Sequence, residues 1–86
     1  MGKQLDERPP LQRALGAVAG LKAGSWESVE ALALLAIEAE GLPECASLRA
    51  AAHAAAAGLK TGTWESVRAL ACLARADREI AGGELG

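Results

Sequence analysis

An all-α fold of four helices, arranged as two tandem helical hairpins, is predicted by three features of this 86-residue sequence. Ala and Leu dominate the composition and β-branched residues are few, which favours helices. Apolar residues recur with helical periodicity in four segments. A phrase also occurs twice, since residues 17–36 and 55–74 are identical at 15 of 20 positions, 38 residues apart. Repetition of a two-helix unit is typical of stacked helical arrays.

The first repeat, about residues 10–41, follows a polar segment, residues 1–9, which we expect to be a flexible arm. Pro10 suits the first position of a helix, because its missing N–H is not needed there. One apolar face follows in Leu11, Ala14, Leu15, Val18 and Leu21. Gly24 is expected to end this helix in the left-handed conformation, and Ser25 to cap the next helix. The second helix, to about Glu40, is predicted to bury Trp26, Val29, Leu32, Ala33, Ala36 and Ile37.

The second repeat, about residues 44–81, has the same design, and residues 10–81 form a single domain. A third helix is predicted from about Glu44 to Lys60, with its buried side formed by Leu48, Ala52, Ala55 and Leu59. Gly62 then ends this helix and Thr63 caps the next one. The fourth helix, to about Ile80, is expected to face inward with Trp64, Val67, Leu70, Ala71 and Ala74. Residues 82–86 are expected to be a frayed tail.

A corner with the sequence GLKxG(S/T)WES joins the two helices of each repeat, in residues 20–28 and 58–66. It combines a helix stop, a short turn and a helix start. Gly20 and Gly58 fall in the last turn of the preceding helix, where Gly costs about 1 kcal/mol relative to Ala. We expect the indoles of Trp26 and Trp64 to fold over these glycines, with fraying of the helix end as the alternative. Replacing a buried Trp64 by Ala would cost about 3–5 kcal/mol.

These segments resemble the second-helix half of tetratricopeptide repeats, in which a Gly, a polar residue and an aromatic residue open the helix and small residues follow. The resemblance is carried by Gly24, Trp26, Ala33, Ala36 and Pro43, and by Gly62, Trp64, Ala71 and Ala74. The chain departs from the family in its 38-residue period, against about 34. It also has Val29 and Val67 in place of the usual Ala. The resemblance implies a right-handed stack of hairpins that binds proteins, similar to small chaperones of bacterial secretion systems.

Composition disfavours several other functions. The chain has 9 Lys and Arg against 11 Asp and Glu, and its only aromatic residues are two Trp. Nucleic-acid binding is therefore disfavoured, because it uses basic surfaces and aromatic stacking. Cys45 and Cys72 form no disulfide framework or metal motif, and His53, expected to be solvated, is too far along its helix from Cys45 for a nucleophilic pair. We expect no enzymatic activity, catalytic residue, cofactor or metal, and a cytoplasmic location with reduced thiols.

Candidate partner-binding residues lie on the charged sides of the second and fourth helices. Leu34 and Cys72 occupy equivalent positions within charged stripes, which indicates either a contact surface or lateral packing in the fold. Glu30 is replaced by Arg68 in the second repeat. Complementary charges at equivalent positions suit a head-to-tail or antiparallel self-association, with ordinary solvated faces as the alternative. The same charged sides carry two further candidates, Glu38 and Arg75.

The sequence thus predicts a non-enzymatic protein–protein interaction module, an adaptor or small chaperone that binds a helix or peptide of a partner. Its apolar residues exceed what two hairpins can bury, and an array of two repeats has open ends. The partner is either another protein or a second copy of the chain in an oligomer. The alternative is a small homodimeric helical protein with a ligand-binding or regulatory role, and a nucleic-acid partner is the least favoured.

Overall fold

The computed structural model of the protein describes residues 7–22 and 24–85, which contain four α-helices and no strand. The helices are α1 (Pro10–Ala17), α2 (Trp26–Glu38), α3 (Glu44–Ala56) and α4 (Trp64–Leu85), and a short 3₁₀ helix, Val18–Gly20, follows α1. The all-α class is therefore confirmed. Residues 1–6 of the predicted arm and Gly86 of the predicted tail lie outside the described residues. Helix α4 continues to Leu85, past the predicted end near Ile80.

The predicted hydroxyl caps are confirmed, but the preceding helices end earlier than predicted. Helix α1 ends at Ala17 and α3 at Ala56, not near Lys60, so Gly24 and Gly62 lie in the turns and do not end the helices. Gly24 and Gly62 have φ angles of +82° and +86°, in the left-handed region that favours glycine. The Ser25 hydroxyl accepts a hydrogen bond from the backbone N–H three residues later at 3.1 Å, and the Thr63 hydroxyl does the same at 3.1 Å. The chain therefore breaks between α1 and α2, and again between α3 and α4, because of the same local interactions.

Helix α2 lies at the centre of the molecule. It packs extensively along α3 and α4, whereas α1 contacts it over a short stretch. Its predicted inward face is confirmed, since Val29, Leu32, Ala33 and Ala36 are buried. The predicted side of α3 is confirmed as well, through Leu48, Ala52 and Ala55. The two helices that flank each corner make few contacts with each other, so most of the packing is between the repeats and not within a hairpin.

Helix α4 turns a different face inward from the one that the sequence predicts. Its buried residues are Ser66, Ala69, Leu73, Ala76 and Ile80. The residues expected to be buried are exposed instead, namely Trp64, Val67, Leu70, Ala71 and Ala74. The reason is that α4 packs with the stripe containing Leu73 and Ile80, and no other helix of the described chain follows to cover the remaining apolar side. The inward orientation predicted for Trp64 is therefore wrong.

The indoles of Trp26 and Trp64 do not pack over Gly20 and Gly58 as the sequence predicted. A Cβ atom on Gly58 would lie 3.2 Å from the Cα atom of Gly24, so the backbone of the first corner, and not an indole, limits the space there. A Cβ atom on Gly20 would have no heavy atom within 4 Å. The close contact between the two corners thus favours glycine at position 58, and nothing within the described chain favours it at position 20.

Candidate functional site

The open face of α4 is the most extended exposed apolar surface on this helix. We define it by the residues Trp64, Val67, Leu70, Ala71 and Ala74. Trp64 and Val67 are each 65% exposed and Leu70 is 47% exposed. The residues of α2 with the same positions in the repeat, 38 residues earlier, are Trp26, Val29, Leu32, Ala33 and Ala36. There Val29 is 0% and Leu32 6% exposed, because α3 and α4 cover α2.

The open face exists because the repeated helix has two apolar sides. One side of α4, the stripe from Ser66 to Ile80, alternates three- and four-residue steps and packs into the core. The other side, with Trp64, Val67, Ala71 and Ala74, also alternates three- and four-residue steps and lies nearly half a turn away. Helix α2 buries the side that contains Val29 and Ala36, whereas on its other side Ala31 is exposed and Leu35 is partly exposed; α4 buries the opposite side of the repeated helix. An amphipathic surface helix needs only one apolar side, so the second indicates a site for a further element.

The two corners lie directly against each other at one end of this face. Gly24 of the first corner packs on Gly58 of the second, backbone to backbone. The rings of Trp26 and Trp64 are neighbours, with centroids 6.5 Å apart and planes tilted by 42°. Trp26 is partly buried against the core, whereas most of Trp64 is exposed. The repeated sequence thus stacks on its own copy, and the outer copy leaves its indole accessible.

Glu30 and Arg68, two of the predicted partner-binding residues, pair with each other within the chain. The Arg68 Nε atom lies 3.4 Å from a Glu30 carboxylate oxygen, which links α2 to α4. The Glu30 side chain is only 13% exposed, and its second oxygen is buried without a hydrogen-bond partner. Arg68 therefore compensates a carboxylate that would otherwise be buried without a counter-charge. The Arg68 side chain remains 61% exposed and borders the open face.

The other predicted partner-binding residues divide between two places. Leu34 and Glu38 line an apolar groove of about 410 Å³ between α1 and α2. The remaining residues of this N-terminal groove are Ala14, Ala17, Val18, Leu21, Ala31 and Leu35. Arg75 is exposed and forms an ion pair with Glu79 at 2.8 Å. Cys72 is partly buried and packs against the core, so lateral packing in the fold accounts for it.

A polar cluster between α3 and α4 was not predicted from the sequence. The Arg49 Nε atom donates to Asp77 at 2.8 Å, and the His53 Nε2 atom lies 3.0 Å from both carboxylate oxygens of Asp77. The hydrogen bond with His53 and the neighbouring Arg49 guanidinium lower the pKa of Asp77. His53 is exposed, as expected, but it is paired. The signal in the sequence is Asp77 itself, which replaces Ala39 of the first repeat.

A cavity of about 710 Å³ lies beside this cluster, bordered by Glu40, Cys45, Arg49 and His53 among others. Cys45 is buried, and its thiol donates to the backbone carbonyl of Ala36 at 3.4 Å. Both cysteines are free thiols. Within residues 7–22 and 24–85, no group of three or more His, Cys, Asp and Glu side chains converges on a point where a metal ion would bind. The cluster acts in the fold as a salt bridge that ties α3 to α4.

No protein-family model matches the chain, and neither does any curated protein or solved structure. None of the helices in the described part of the chain combines the length and apolarity needed to cross a membrane. Fold and surface together define a small all-α protein with one extended apolar helix face left exposed.

Proposed function

We propose that this chain is a protein–protein interaction module, an adaptor or small chaperone, built as a tetratricopeptide-like array of two helical repeats. Its open face of α4 binds a helix of a partner. The supporting observation is the pair Val29 and Val67, since the same residue of the repeat is 0% exposed in one helix and 65% exposed in the other. Burial of exposed apolar surface contributes about 25 cal/mol per Å² to binding before the losses of association are subtracted.

The chemistry of the partner helix follows from what covers the equivalent face of α2. Helix α3 packs there with Leu48, Ala52 and Ala55, and Leu59 continues the same side beyond the helix. A helix with one Leu and small residues at steps of four and three therefore fits against the open face, as in other helix-in-groove complexes. Small residues matter because they allow the two helix axes to approach closely.

The ion pairs within the chain argue against nucleic-acid binding and against an anion-binding site. A nucleic-acid surface would use the arginines of α4, but Arg68 pairs with Glu30 and Arg75 with Glu79. An anion-binding site in the cavity beside α3 would use Arg49 and His53, whose side chains both pair with Asp77. These carboxylates reduce the positive potential that a phosphate group would need. The absence of enzymatic activity and the cytoplasmic location stay predictions from the sequence.

The experiment uses a synthetic peptide with the sequence of residues 44–60, which contains α3, as the partner helix. Added to the protein at low concentration, it should bind and shift the fluorescence emission of Trp64 to shorter wavelength as the indole is covered. The variant Val67→Asp should lose this binding, because a carboxylate would be buried in an apolar interface. The matched control Leu34→Asp, which changes an exposed leucine of α2, should retain it. Equal binding by both variants would contradict the proposal.

A further inference from the structure

We infer that the helix covering the open face of α4 comes from a second copy of this chain, whose α1 docks head-to-tail on α4 of the first copy. The 38-residue array then continues across the boundary between two molecules. This inference rests on the proposed function, since it names the partner of the same face. Four observations support it. A Cβ atom on Gly20 would meet no neighbour in the described chain, and α1 has the same apolar pattern as α3. The N-terminal groove is equivalent to the surface through which α4 packs on α2, and the charges of Glu30 and Arg68 are opposite.

Gly20 is the first of these observations. Inside the chain, glycine is favoured at position 58 because the Cα atom of Gly24 in the neighbouring corner lies only 3.2 Å from the position of its Cβ atom. Gly20 occupies the same place in the first repeat, but no heavy atom lies within 4 Å of its Cβ position. In the head-to-tail stack, Gly20 of the second copy meets Gly62 of the first, as Gly58 meets Gly24. The stack therefore supplies the backbone contact that the single chain lacks.

Helix α1 carries the apolar pattern that the open face needs. The side of α3 that packs on α2 consists of Leu48, Ala52, Ala55 and, beyond the helix, Leu59. The equivalent residues of the first repeat are Pro10, Ala14, Ala17 and Leu21. All four are apolar, and all four are exposed in the single chain. Helix α1 and the segment after it thus present an unpaired side that corresponds to the side of α3 already buried against α2.

The N-terminal groove of the second copy provides the surface on which α4 of the first copy packs. In the chain, α4 packs on α2 through a stripe that includes Ala69 and Leu73. The equivalent residues on α2, Ala31 and Leu35, line the N-terminal groove and face no preceding repeat. The contact between α2 and α4 within one chain is thus repeated between α4 of the first copy and α2 of the second. Each chain therefore has both halves of the interface exposed: the open face of α4, and α1 with the N-terminal groove.

Charge determines the direction of the association. Within the chain, Glu30 of the first repeat pairs with Arg68 of the second. The head-to-tail stack places Arg68 of the first copy beside Glu30 of the second, so acidic and basic side chains alternate along the array. An antiparallel dimer through two α4 helices joins like surfaces, so it does not use this alternation of unlike charges. The charges therefore favour unlike ends over like ends.

A head-to-tail interface joins two different surfaces, so it leaves one free end of each kind and does not close by itself. The test uses two variants, each with one end blocked. Val67→Asp blocks the open face of α4, and Gly20→Gln blocks the α1 end by placing a side chain where the corner of the neighbouring copy must approach. Both positions are exposed in the single chain, so both variants should fold. Ala19→Gln, at a neighbouring exposed position whose repeat equivalent Ala57 is also exposed, is the control.

Sedimentation velocity over a concentration series measures the result. The wild type and Ala19→Gln should show a mass that rises with concentration beyond the dimer, while each blocked variant stays monomeric at concentrations at least about tenfold higher. A mixture of the two blocked variants should form a one-to-one dimer, because Gly20→Gln retains the open face and Val67→Asp retains the α1 end. Such complementation is specific to an interface between unlike surfaces.

Two results would overturn the inference. If Gly20→Gln associates like the wild type, the α1 end is not part of the contact and the head-to-tail stack is wrong. If the wild type stays monomeric at millimolar concentration, a different protein supplies the helix. The proposed function is tested separately by the α3 peptide on the Gly20→Gln variant, whose open face is intact. Binding of that peptide by a monomeric wild type would leave the proposed function in place while excluding the second copy as partner.

Discussion

Helices α2 and α4 share most of their first eleven residues, yet they have different surroundings. The Val at the fourth position of the helix is fully buried in α2 and mostly exposed in α4. The same contrast holds between Trp26 and Trp64 and between Leu32 and Leu70. Helix α2 is covered on two sides, by α3 and α4, whereas α4 packs on one side only. Burial in this protein therefore depends on the position of a helix in the array as much as on its sequence.

The turns before α2 and α4 show the opposite behaviour, because both copies contain the same glycine conformation and the same hydroxyl cap. The glycine with positive φ and the hydroxyl cap are formed by contacts within a few residues. Their energy does not depend on whether another repeat follows. Comparison of the two copies therefore separates what a short sequence determines alone from what its neighbours determine.

The largest expected effect comes from an acidic residue at the equivalent valines. Val29→Asp would place a carboxylate in the core and cost several kcal/mol, which is comparable with the total stability of a small domain, about 5 kcal/mol. We expect this variant to be largely unfolded, while Val67→Asp keeps its helical content. Circular dichroism melting curves at low protein concentration compare the two. Similar loss of helix in both would mean that α4 buries its valine after all.

The two tryptophans should differ by a smaller amount. Trp64→Ala should cost about 1 kcal/mol, through loss of the contact with the Trp26 ring, and not the 3–5 kcal/mol expected for a buried indole. Trp26→Ala should cost about 2–3 kcal/mol, because that side chain also packs against the core. Urea unfolding of each variant gives the free energies. A larger loss for Trp64→Ala would contradict the exposure of its indole.

The equivalent glycines give the next difference. In Gly58→Ala the new methyl group would lie 3.2 Å from the Cα atom of Gly24, and the required shift should destabilise the monomer by about 1 kcal/mol. Gly20→Ala has free space around the new atom, so its monomer should be as stable as the wild type or slightly more stable. Melting temperatures of the two variants at low protein concentration measure this difference. Equal decreases in melting temperature would show that the corners do not contact each other.

The smallest effect concerns Asp77, whose equivalent in α2 is the buried Ala39. His53 and Arg49 lower the pKa of Asp77 below its ordinary value of 3.8. The folded state therefore gains stability from ionised Asp77 above that value and loses it as the pH falls through the lowered pKa. Because the carboxylate is partly exposed, we expect less than about 1 kcal/mol.

Urea unfolding between about pH 6 and pH 2 measures this contribution. Wild type should exceed Asp77→Asn in stability at the upper end of the range, and the difference should shrink towards the lower end. Asp77→Asn keeps the shape of the side chain but replaces one accepting oxygen by an NH2 donor; because the amide does not ionise, the pH dependence of the difference isolates the charge. A difference that stays constant over the whole range would show that ionisation of Asp77 does not stabilise the fold.

Local rules predicted the four helices, both corners and the inward faces of α2 and α3. They failed for α4 because its two apolar sides have similar composition, and the choice between them depends on α2 and α3. The side with Leu73 and Ile80 was less evident than the side with Trp64. Propensity and periodicity identify which residues are apolar, but tertiary contacts determine which of them are buried.

The salt-bridge cluster illustrates a second limit. Arg49 and His53 are one turn apart on α3, which the sequence shows, but their partner Asp77 is on another helix. Only knowledge of how α3 lies against α4 brings the three together. The sequence shows the opposite charges of Glu30 and Arg68 at equivalent positions. It predicted that they contact a partner, and not that they pair with each other. The structure uses that pair within the chain.

The contact between Gly24 and Gly58 involves two main chains and no side chain. Main-chain atoms are the same in every residue, so the separation of consecutive corners should be insensitive to substitutions on the helix surfaces. The spacing per repeat would then stay constant if residues 44–81, one 38-residue repeat, were duplicated in tandem. Such concatenated units should form rods whose length grows by equal increments, which makes this segment a suitable building block for molecular rulers.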